Sequence, residues 1–424
     1  MTGQEAIAYI HAQHWQQRAP GLGRMRRLLR LLGNPQDKLR FVHVAGTNGK
    51  GSTCAMIAAI LGAAGYRVGL NTSPYLVTFH ERIRVDGRMI SDEDLGRLTA
   101  QVRPAAESMD EPPTEFELIT AIALLYFLQC SCDIVVLEVG LGGALDASNV
   151  IPPPEAAVIT AMGMDHAAVL GATQTEIARA KAGIIKPGSP VISYGGCPEA
   201  DAVIRETCRD QGTTLREADF ARAKVRSLGL EGAVFDCAPY GTLTLPLAGA
   251  YQVQNALVAI TAAETLAQRG WDIPPEAVRR GLRTVSWPGR FEVLRPSGPA
   301  VLLDGAHNPQ GVAAAAKSLA PLFPGRKAVV LLGVLADKDV ESMLDAVVPM
   351  AEAIVTVTPA SPRAMGAEEL RQRLLGRGVP VCACAGVTEG LRTAALAAGP
   401  DGVVCALGSL YMVGAVRRAV QALT

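Results

Sequence analysis

A glycine-rich run between an apolar strand and a helical segment constrains this chain more than any other feature. The run is Val44-Ala-Gly-Thr-Asn-Gly-Lys-Gly-Ser-Thr53, and the helical pattern continues to Leu61. Glycines at 46, 49 and 51 let a backbone wrap closely around a polyphosphate, with successive N–H groups aimed inward. The helix start and Lys50 add positive charge. A glycine-rich turn alone can be a simple tight loop, but strand, glycines, lysine, hydroxyls and helix in this order predict an ATP-binding phosphate loop (residues 46–53).

Composition narrows the class of protein. A chain of 424 residues is too long for one ordinary core, so two domains are expected. Lys+Arg and Asp+Glu both total 40, which argues against nucleic acid or an acidic membrane as partner. The nine cysteines form no CxxC pair, and the start of the chain lacks a secretory pattern. We therefore expect a protein of the reducing cytoplasm, with no nucleic-acid or membrane partner.

Apolar β-branched runs alternate with helical patterns along the chain, which predicts an α/β fold with a parallel central sheet. Predicted strands of the first part are 41–45, 67–71, 133–139, 156–161 and 189–194. A turn-rich stretch at about 223–248 predicts antiparallel strands, and a helix is expected at 254–269. The Pro296-Ser-Gly-Pro299 cluster predicts a boundary between domains 1–295 and 296–424. The second part repeats the alternation, with strands at 301–304, 328–335, 353–357, 379–382 and 403–407, and a site in the cleft between the domains is expected.

Polar residues follow several predicted strands. Glu138 ends an apolar strand just before a Gly-Leu-Gly-Gly run, where a carboxylate is suited to Mg²⁺. Asp165 and His166 follow the predicted strand 156–161, and His166 is interpreted as a metal or phosphate ligand. Lys181 follows on a helix. The alternatives are a paired buried glutamate, a structural histidine and a surface lysine.

The second part has similar strand-end polar groups. Asp304-Gly-Ala-His-Asn-Pro309 follows its first strand. One interpretation is that these residues contact the ribose or base of a nucleotide, and the alternative is a turn with a helix N-cap. Asp337-Lys-Asp339 follows the next strand. These residues form a second set of candidate ligand contacts.

Together these segments resemble the Mur ligase superfamily and, within it, the folylpolyglutamate synthase/dihydrofolate synthase family, over nearly the whole chain. Beyond the segments already quoted, the motifs are Thr72-Ser-Pro-Tyr-Leu76, Glu81-Arg-Ile83, Thr114-Glu-Phe-Glu117, Leu137-Glu-Val-Gly-Leu-Gly-Gly143, Leu145-Asp-Ala-Ser-Asn149, Gly163-Met-Asp-His166, Lys181-Ala-Gly-Ile184, Gln252-Val-Gln-Asn-Ala256, Pro288-Gly-Arg290 and Gly408-Ser-Leu-Tyr411. Pro20-Gly-Leu-Gly23 matches the N-terminal substrate loop of the family only weakly. The resemblance implies a P-loop ATPase domain of the Mur-ligase type followed by a smaller, Rossmann-like α/β domain.

The resemblance also implies residue roles. ATP would be bound by Thr47, Asn48, Gly49, Lys50, Gly51, Ser52, Asn255, Arg290, Asp304 and His307. Two Mg²⁺ ions would be held by Ser73, Glu138 and His166. The pterin-bearing substrate would meet Thr114, Glu115, Phe116, Glu117, Leu145, Asp146 and Ala147. Lys181 matches a lysine that the family carbamylates, and it joins Lys50, Glu138 and His166 as an expected catalytic residue.

The residues and the resemblance together predict an ATP-dependent ligase that joins L-glutamate to a folate or dihydropteroate carboxylate through an acyl phosphate. The enzyme is expected to be a monomer. Tyr75, Ala144 and Tyr251 depart from the residues common in the family: histidine, arginine and histidine. A cell-wall ligase of the Mur type would share the chemistry, and a nucleotide switch would share only the phosphate loop. A GTPase-like switch should carry an Asn-Lys-x-Asp motif that recognises the guanine base. This sequence contains no such motif, and Ala336-Asp-Lys-Asp339 is the most similar segment.

Overall fold

The computed structural model describes residues 1–13 and 21–423, so Pro20 of the weakly matching substrate loop lies outside the described residues. The chain divides into two compact units. Unit 1 comprises residues 1–163, 167–220 and 255–284, and unit 2 comprises 164–166, 221–254 and 285–424. These groups describe packing, and the division into domains 1–295 and 296–424 stays a prediction.

Unit 1 is built on an eight-stranded sheet of order β4-β3-β2-β5-β1-β6-β7-β8. Its strands are β1 Phe41–Ala45, β2 Val68–Asn71, β3 Ile83–Val85, β4 Arg88–Met89, β5 Ile134–Glu138, β6 Ala156–Ile159, β7 Val191–Ser193 and β8 Leu215–Glu217. The six neighbouring strands β2-β5-β1-β6-β7-β8 pair in parallel. Strands β3 and β4 extend the sheet beyond β2 with antiparallel pairings. The five strands predicted for this part are confirmed. The sequence did not reveal β3, β4 and β8, because each has only two or three residues.

The helices of unit 1 follow from their capping residues and apolar faces. They are α1 Gly3–His11, α2 Gly23–Leu31, α3 Lys50–Ala63, α4 Asp92–Glu107, α5 Glu115–Gln129, α6 Ala167–Leu170, α7 Gln174–Ala182 and α8 Pro198–Asp210. Capping boxes, in which a threonine and the glutamate three residues on cap each other's backbone, begin α5 and α7. Helix α5 is buried on nearly all sides, which explains its almost entirely apolar sequence.

The elements after β8 confirm the prediction of a turn-rich antiparallel segment followed by a helix. Strands β9 Ala223–Gly229, β10 Gly232–Cys237 and β11 Gly241–Leu245 form an antiparallel sheet in the order β11-β10-β9. Helices α9 Ala250–Gln268 and α10 Pro275–Thr284 follow. Residues 250–254 of α9 belong to unit 2, and the rest of α9 together with α10 belongs to unit 1.

Unit 2 also contains a six-stranded sheet of order β12-β13-β17-β14-β15-β16. Its strands are β12 Glu292–Arg295, β13 Ala300–Leu303, β14 Ala328–Leu332, β15 Ala351–Thr356, β16 Val381–Ala383 and β17 Val403–Leu407. Its helices are α11 Pro309–Leu322, α12 Val340–Val347, α13 Ala367–Leu374, α14 Val387–Ala398 and α15 Leu410–Val420. The sheet is parallel except for β12, which pairs antiparallel with β13, so residues 296–299 form the turn between two paired strands. The predicted α/β alternation of this part is confirmed.

The register of the first sheet brings several loops to one edge. Val44 of β1 lies opposite Glu138 of β5, and Asn71 of β2 lies opposite Leu137. Parallel strands end at the same edge, so the loops that follow β1, β2 and β5 leave the sheet side by side. In the part of the chain that the structure describes, no helix has the length and apolar character needed to cross a bilayer.

Two helical glycines of unit 1 provide a test of the packing between α3 and α10. A Cβ on Gly281 would lie 2.5 Å from the Cα of Ile60, whereas a Cβ on Gly62 would meet nothing within 4 Å. We expect Gly281→Ala to lower the free energy of unfolding by about 1–3 kcal/mol, since the backbones must separate. Gly62→Ala should be neutral or raise it by up to about 1 kcal/mol. Chemical denaturation of both variants checks this, and equal stabilities would contradict the close approach.

Candidate active-site residues of the two units

The phosphate loop of unit 1 requires glycine at two positions. Gly46 has a φ of +147°, and a Cβ there would lie 1.9 Å from the hydroxyl oxygen of Thr160. Gly49 has a φ of +84°, and a Cβ there would lie 2.5 Å from the side-chain oxygen of Asn255. Asn255, a predicted ATP ligand, is therefore held directly against the loop.

The loop is tied to the segment that follows β6. The backbone N–H groups of Thr47 and Asn48 both donate to the carbonyl oxygen of Ala161, at 3.0 and 3.1 Å. The Thr47 hydroxyl donates to the carbonyl oxygen of Gly163 at 2.9 Å. The expectation that successive N–H groups of the loop face inward is thus wrong for these two residues. The N–H groups of the first turn of α3, at Lys50 and Gly51, remain suited to an anion, because a helix supplies no internal acceptor for them.

Two lysines of unit 1 share one acceptor. Lys50 Nζ lies 3.1 Å from the carbonyl oxygen of Gly46 and 3.2 Å from that of Thr47. Lys181 Nζ, brought in by α7, lies 2.7 Å from the same Gly46 oxygen. Lys181 is only 5% exposed, so the alternative of a surface lysine is wrong. The structure therefore concentrates two cationic side chains at the phosphate loop.

Glu138 ends β5 as a buried residue, and its carboxylate accepts the backbone N–H of Ser73 at 2.9 Å. This bond fixes the carboxylate beside the loop that follows β2. Burial raises the pKa of the Cys54 thiol on α3 well above its usual range, the negative charge of Glu138 raises it further, and the positive charge of Lys50 lowers it. The charges of Glu138 and Lys50 therefore act on the Cys54 thiol in opposite directions.

The donor set near the phosphate loop suits Mg²⁺. A carboxylate and a serine hydroxyl are hard oxygen donors, and Mg²⁺ in phosphoryl-transfer sites usually takes only one or two carboxylates, with phosphates and water completing its shell. Within residues 1–13 and 21–423, no three His, Cys, Asp or Glu side chains are grouped to hold a metal by themselves. Ser73 and Glu138 therefore fit a magnesium ion that is bound together with a nucleotide.

The Thr114–Glu117 segment splits into structural and outward-facing residues. Thr114 and Glu117 form the capping box of α5, and Glu117 also pairs with Arg24 at 3.2 Å. Glu115 lies 3.1 Å from Nδ1 of His11. A Cβ on Gly140 would lie 2.6 Å from the ring of Phe116, so this ring packs on the residues just after Glu138. Phe116 is the member of the segment that lies beside a candidate ligand residue.

The Leu145–Ala147 segment shows a similar division. Asp146 is buried, accepts the N–H of Leu141 at 2.9 Å and accepts the hydroxyl of Ser148 at 2.5 Å. Burial raises the pKa of Asp146, and these hydrogen bonds lower it in part. Leu145 is 57% exposed, whereas Ala147 is buried. Of the three residues, Leu145 is the one that the segment presents to solvent.

Tyr75, the first departure from the family pattern, lies two residues after Ser73. Its ring centroid is 5.9 Å from that of Phe79, and the guanidinium carbon of Arg82 lies 5.1 Å above it. Such cation–π stacking fixes the ring orientation. Tyr75 thus lies on the loop that follows β2, the same loop whose Ser73 N–H binds Glu138.

Unit 2 contains a polar cluster around Asp165, which is largely buried. Its Oδ1 lies 2.6 Å from Nζ of Lys338, and its Oδ2 lies 3.2 Å from Nδ2 of Asn308 and 3.5 Å from Nε2 of His307. Burial alone would raise the pKa of Asp165, but the hydrogen bond from His307 and the charges of His166, His307 and Lys338 hold it well below its usual range. His166, whose N–H donates to Asp165, has a φ of +53°, an uncommon backbone conformation for a residue other than glycine.

Asp304 forms a second buried centre of unit 2. Its Oδ2 accepts the hydroxyl of Tyr251 at 2.7 Å, and its Oδ1 accepts the N–H of Ala306 at 2.7 Å. Burial raises the pKa of Asp304, whereas Tyr251, Arg290 and backbone N–H groups lower it. A Cβ on Gly305 would lie 2.1 Å from Nη1 of Arg290, so the guanidinium lies against this turn. Asn308 caps α11, which confirms an N-cap in the motif.

The predicted site residues are divided between the two units. Unit 1 contains the phosphate loop, Ser73, Glu138, Lys181 and Asn255, and unit 2 contains His166, Arg290, Asp304 and His307. The sequence did not predict that Lys338 pairs with Asp165 or that Tyr251 pairs with Asp304. Lys338 stood in a strand-end polar motif, a signal that its side chain could lie among other polar groups. Tyr251 carried no such signal beyond its departure from the family pattern.

Comparisons with known proteins agree with this arrangement. Residues 44–263 match the Mur ligase middle domain, and residues 289–410 match the Mur ligase glutamate ligase domain. The dihydrofolate synthase/folylpolyglutamate synthase of Bacillus subtilis is 41% identical over 87% of this chain and 87% of its own length. The ADP complex of Mycobacterium tuberculosis folylpolyglutamate synthase is 31% identical, with a TM-score of 0.90 over 98% of this chain and 97% of that one.

A further solved structure extends the comparison to a folate ligand. It is a complex of a folylpolyglutamate synthase (FPGS) with AMPPCP and folate. This FPGS is 35% identical to the present chain, with a TM-score of 0.84. The similarity covers 99% of this chain and 100% of that one. The similarity to these two solved structures therefore extends along nearly the whole chain and is not confined to the phosphate loop.

Replacing Tyr251 tests the role of its hydroxyl. We expect Tyr251→Phe to lower the free energy of unfolding at pH 7 by about 1–3 kcal/mol, because buried Asp304 loses a donor. The pKa of Asp304, already raised, should rise further. A carboxyl with a raised folded pKa destabilises the fold as pH increases through that pKa, so the deficit should be smaller at pH 4 than at pH 7.

Calorimetric unfolding at both pH values measures this effect. Tyr251→His is the matched variant, since an imidazole N–H can also donate to the carboxylate, and it should retain more stability than Tyr251→Phe. A deficit that is absent or independent of pH would contradict the role assigned to the hydroxyl.

Proposed function

The chain belongs to the Mur ligase family, and from this we propose that it is an ATP-dependent ligase that joins L-glutamate to the carboxyl group of a folate or of dihydropteroate. The observation that carries the proposal is the placement of Glu138, oriented by Ser73, beside a phosphate loop that holds two lysines. Similarity to folylpolyglutamate and dihydrofolate synthases along nearly the whole chain supports the choice of substrates.

The reaction overcomes the poor leaving ability of a carboxylate oxygen. The acid attacks the γ-phosphorus of ATP, ADP leaves, and an acyl phosphate forms. The amine of L-glutamate then attacks the acyl carbon, phosphate leaves with its electron pair, and the nitrogen loses a proton to give the amide. Lys50 and the first turn of α3 offset negative charge on the phosphates in both steps.

The nucleotide is assigned to the phosphate loop and to Asn255, which lies against Gly49. Arg290, Asp304 and His307 of unit 2 stay predicted ATP contacts. Ser73, Glu138 and His166 are the predicted magnesium ligands, and Mg²⁺ would neutralise charge on the transferring phosphoryl group. Ser73 and Glu138 supply hard oxygen donors and already contact one another.

The acid substrate is assigned to the region that Phe116 and Leu145 border. Phe116 offers an aromatic face for a pterin or aminobenzoyl ring, and Leu145 offers an exposed apolar contact. Thr114, Glu117 and Asp146 act there by holding the backbone. A monomeric, cytoplasmic enzyme stays our prediction, and light scattering after size exclusion tests the oligomeric state.

A phosphate-release assay tests the activity. ATP and Mg²⁺ are supplied with L-glutamate and either dihydropteroate or tetrahydrofolate, and each acid and the amine are omitted in turn. We expect phosphate release and amide formation only when acid and glutamate are both present. Release without either substrate, or with a peptidoglycan precursor instead of a folate, would contradict the proposal.

Lys50→Ala and Glu138→Ala should each lower the rate of ligation by about 10²–10³ or more, because phosphate charge compensation or a metal ligand is lost. The fold should stay intact, as measured by circular dichroism. Lys327→Ala, which removes an exposed lysine, is the control and should keep the wild-type rate. Near-wild-type turnover of either site variant at saturating ATP and Mg²⁺ would refute the assignment.

We also propose that Lys181 works as a carbamate. Its amine shares the Gly46 oxygen with Lys50, and Coulomb repulsion between two adjacent ammonium groups is relieved when one becomes an anion. The neutral amine attacks CO₂, an N–C bond forms, and one N–H proton leaves to water. The remaining N–H can still donate to Gly46, while the new oxygens suit Mg²⁺.

Lys181→Ala should therefore lose most of the ligase activity, and acetate or bicarbonate should restore part of it by supplying an anion. Lys338→Ala is the matched control for a buried lysine, and small acids should not rescue it. A fully active Lys181→Ala enzyme, or an electron-density map with an unmodified ammonium in the metal-bound enzyme, would refute the carbamate.

A further inference from the structure

Lys186, four residues after the end of α7, is a lysine to which neither the reaction nor the resemblance assigns a role. Its Nζ lies 3.0 Å from the carbonyl oxygen of Asn149 and 2.5 Å from that of Ile151. Both oxygens belong to the C-terminal end of the segment of residues 143–151, which also contains Leu145. Lys186 is half-buried, so these contacts are partly shielded from solvent.

The segment of residues 143–151 is attached to the end of α7 along its length. The N–H of Ala144 donates to the carbonyl oxygen of Ala180 at 2.8 Å. The side-chain nitrogen of Asn149 donates to the carbonyl oxygen of Gly183 at 3.0 Å. A Cβ on Gly183 would lie 2.3 Å from the Cβ of Ala144, so the two backbones are in close contact.

Lys186 supplies hydrogen-bond donors to carbonyl groups at the end of this segment. Residues 147–150 form a single 3₁₀ turn, and the last carbonyl groups of a helical turn have no donor within the turn. A cation at such an end also interacts favourably with the carbonyl dipoles. Removing the ammonium would leave the carbonyl groups of Asn149 and Ile151 without this donor, and the turn would be free to shift.

Leu145 is the large apolar side chain that this segment exposes to solvent. Asp146, Ala147 and Ser148 are buried, whereas Leu145 is 57% exposed at the start of the turn. A small shift of the turn therefore moves the one large apolar side chain that the segment offers to a ligand. Lys181 reaches the phosphate loop from α7, so its bond to Gly46 does not pass through the two carbonyl groups that Lys186 contacts.

We propose that Lys186 is a positioning residue for the acid substrate: its ammonium holds the 143–151 segment in the conformation that presents Leu145 to the pterin-bearing acid. The inference rests on the proposed function and adds to it the residue that sets the geometry of the acid site. Lys186 acts through the backbone of the segment and does not touch the substrate.

The charge state of Lys186 gives this role a pH dependence. Burial, together with the charge of Arg26 on α2, lowers the pKa of Lys186 to about 8. His43 on β1 also feels the charge of Lys186, but burial lowers the pKa of His43 to about 3, so it stays neutral above that pH. Raising the pH above about 8 removes the Lys186 charge and weakens its hold on the two carbonyl groups.

Fold stability moves in the opposite direction. Because the folded-state pKa lies below that of an unfolded lysine, the unfolded chain binds more protons between about pH 8 and 10. The contribution of Lys186 to folding stability therefore rises with pH in that window, while the affinity for the acid falls. A purely structural role would not separate the two quantities.

The test is direct binding of dihydropteroate and of the ATP analogue AMPPCP by titration calorimetry at pH 7 and pH 9.5. The proteins are the wild type, Lys186→Arg, Lys186→Met and the surface control Lys327→Met. Arginine keeps its charge at both pH values, so titration of the ligand itself cancels in the comparison. Thermal unfolding at both pH values reports whether each variant is folded.

We expect Lys186→Met to bind dihydropteroate about tenfold more weakly at pH 7, the effect of losing a charge-assisted hydrogen bond, with AMPPCP affinity changed less than about twofold. The wild type should lose a similar factor between pH 7 and 9.5, and Lys186→Arg should not. Wild-type affinity in Lys186→Met, or equal losses for dihydropteroate and AMPPCP, would overturn the inference. Tetrahydrofolate is titrated in parallel and serves as the probe if it is the acid that the wild type binds. A wild type that binds AMPPCP but neither tetrahydrofolate nor dihydropteroate would instead overturn the proposed function.

Discussion

Burial of the central strands on both faces is the constraint on which the arrangement of the site depends. Strands β1, β5 and β6 are buried at every position, so polar side chains are tolerated there only with partners. His43 is the exception within β1, and its Nε2 lies 2.8 Å from the hydroxyl of Ser148. Elsewhere the polar chemistry is confined to the strand ends, which is why Glu138 and the phosphate loop lie at one edge.

The sequence predicts much of this arrangement because the signals are local. A glycine-rich turn between a strand and a helix, and a glutamate after an apolar run, can be recognised within ten residues. The Thr-x-x-Glu spacing of Thr114 and Glu117 is also local and indicates a capping box. From this spacing alone, Thr114 and Glu117 could have been predicted to cap the helix, which leaves Phe116 as the candidate for contact with the substrate.

The remainder depends on contacts between distant positions. Asp165 and Lys338 are 173 residues apart, and Tyr251 and Asp304 are 53 apart. Hydrophobic periodicity carries no information on which polar side chains meet across such distances. The turn at residues 296–299 shows the same limit, since proline and glycine indicate a change of direction but not whether a linker or a paired strand follows.

The phosphate loop and the 143–151 segment differ in what their positions can tolerate. At Gly46 and Gly49 the space for a side chain is already filled, so any change there disturbs the backbone that surrounds the nucleotide. Leu145 instead stands exposed on a turn whose backbone is held by its neighbours and by Lys186. Its side chain can be exchanged at little cost to folding. Such a division would let descendants of one ancestral ligase diverge in the acids that they accept while the phosphate chemistry stays fixed.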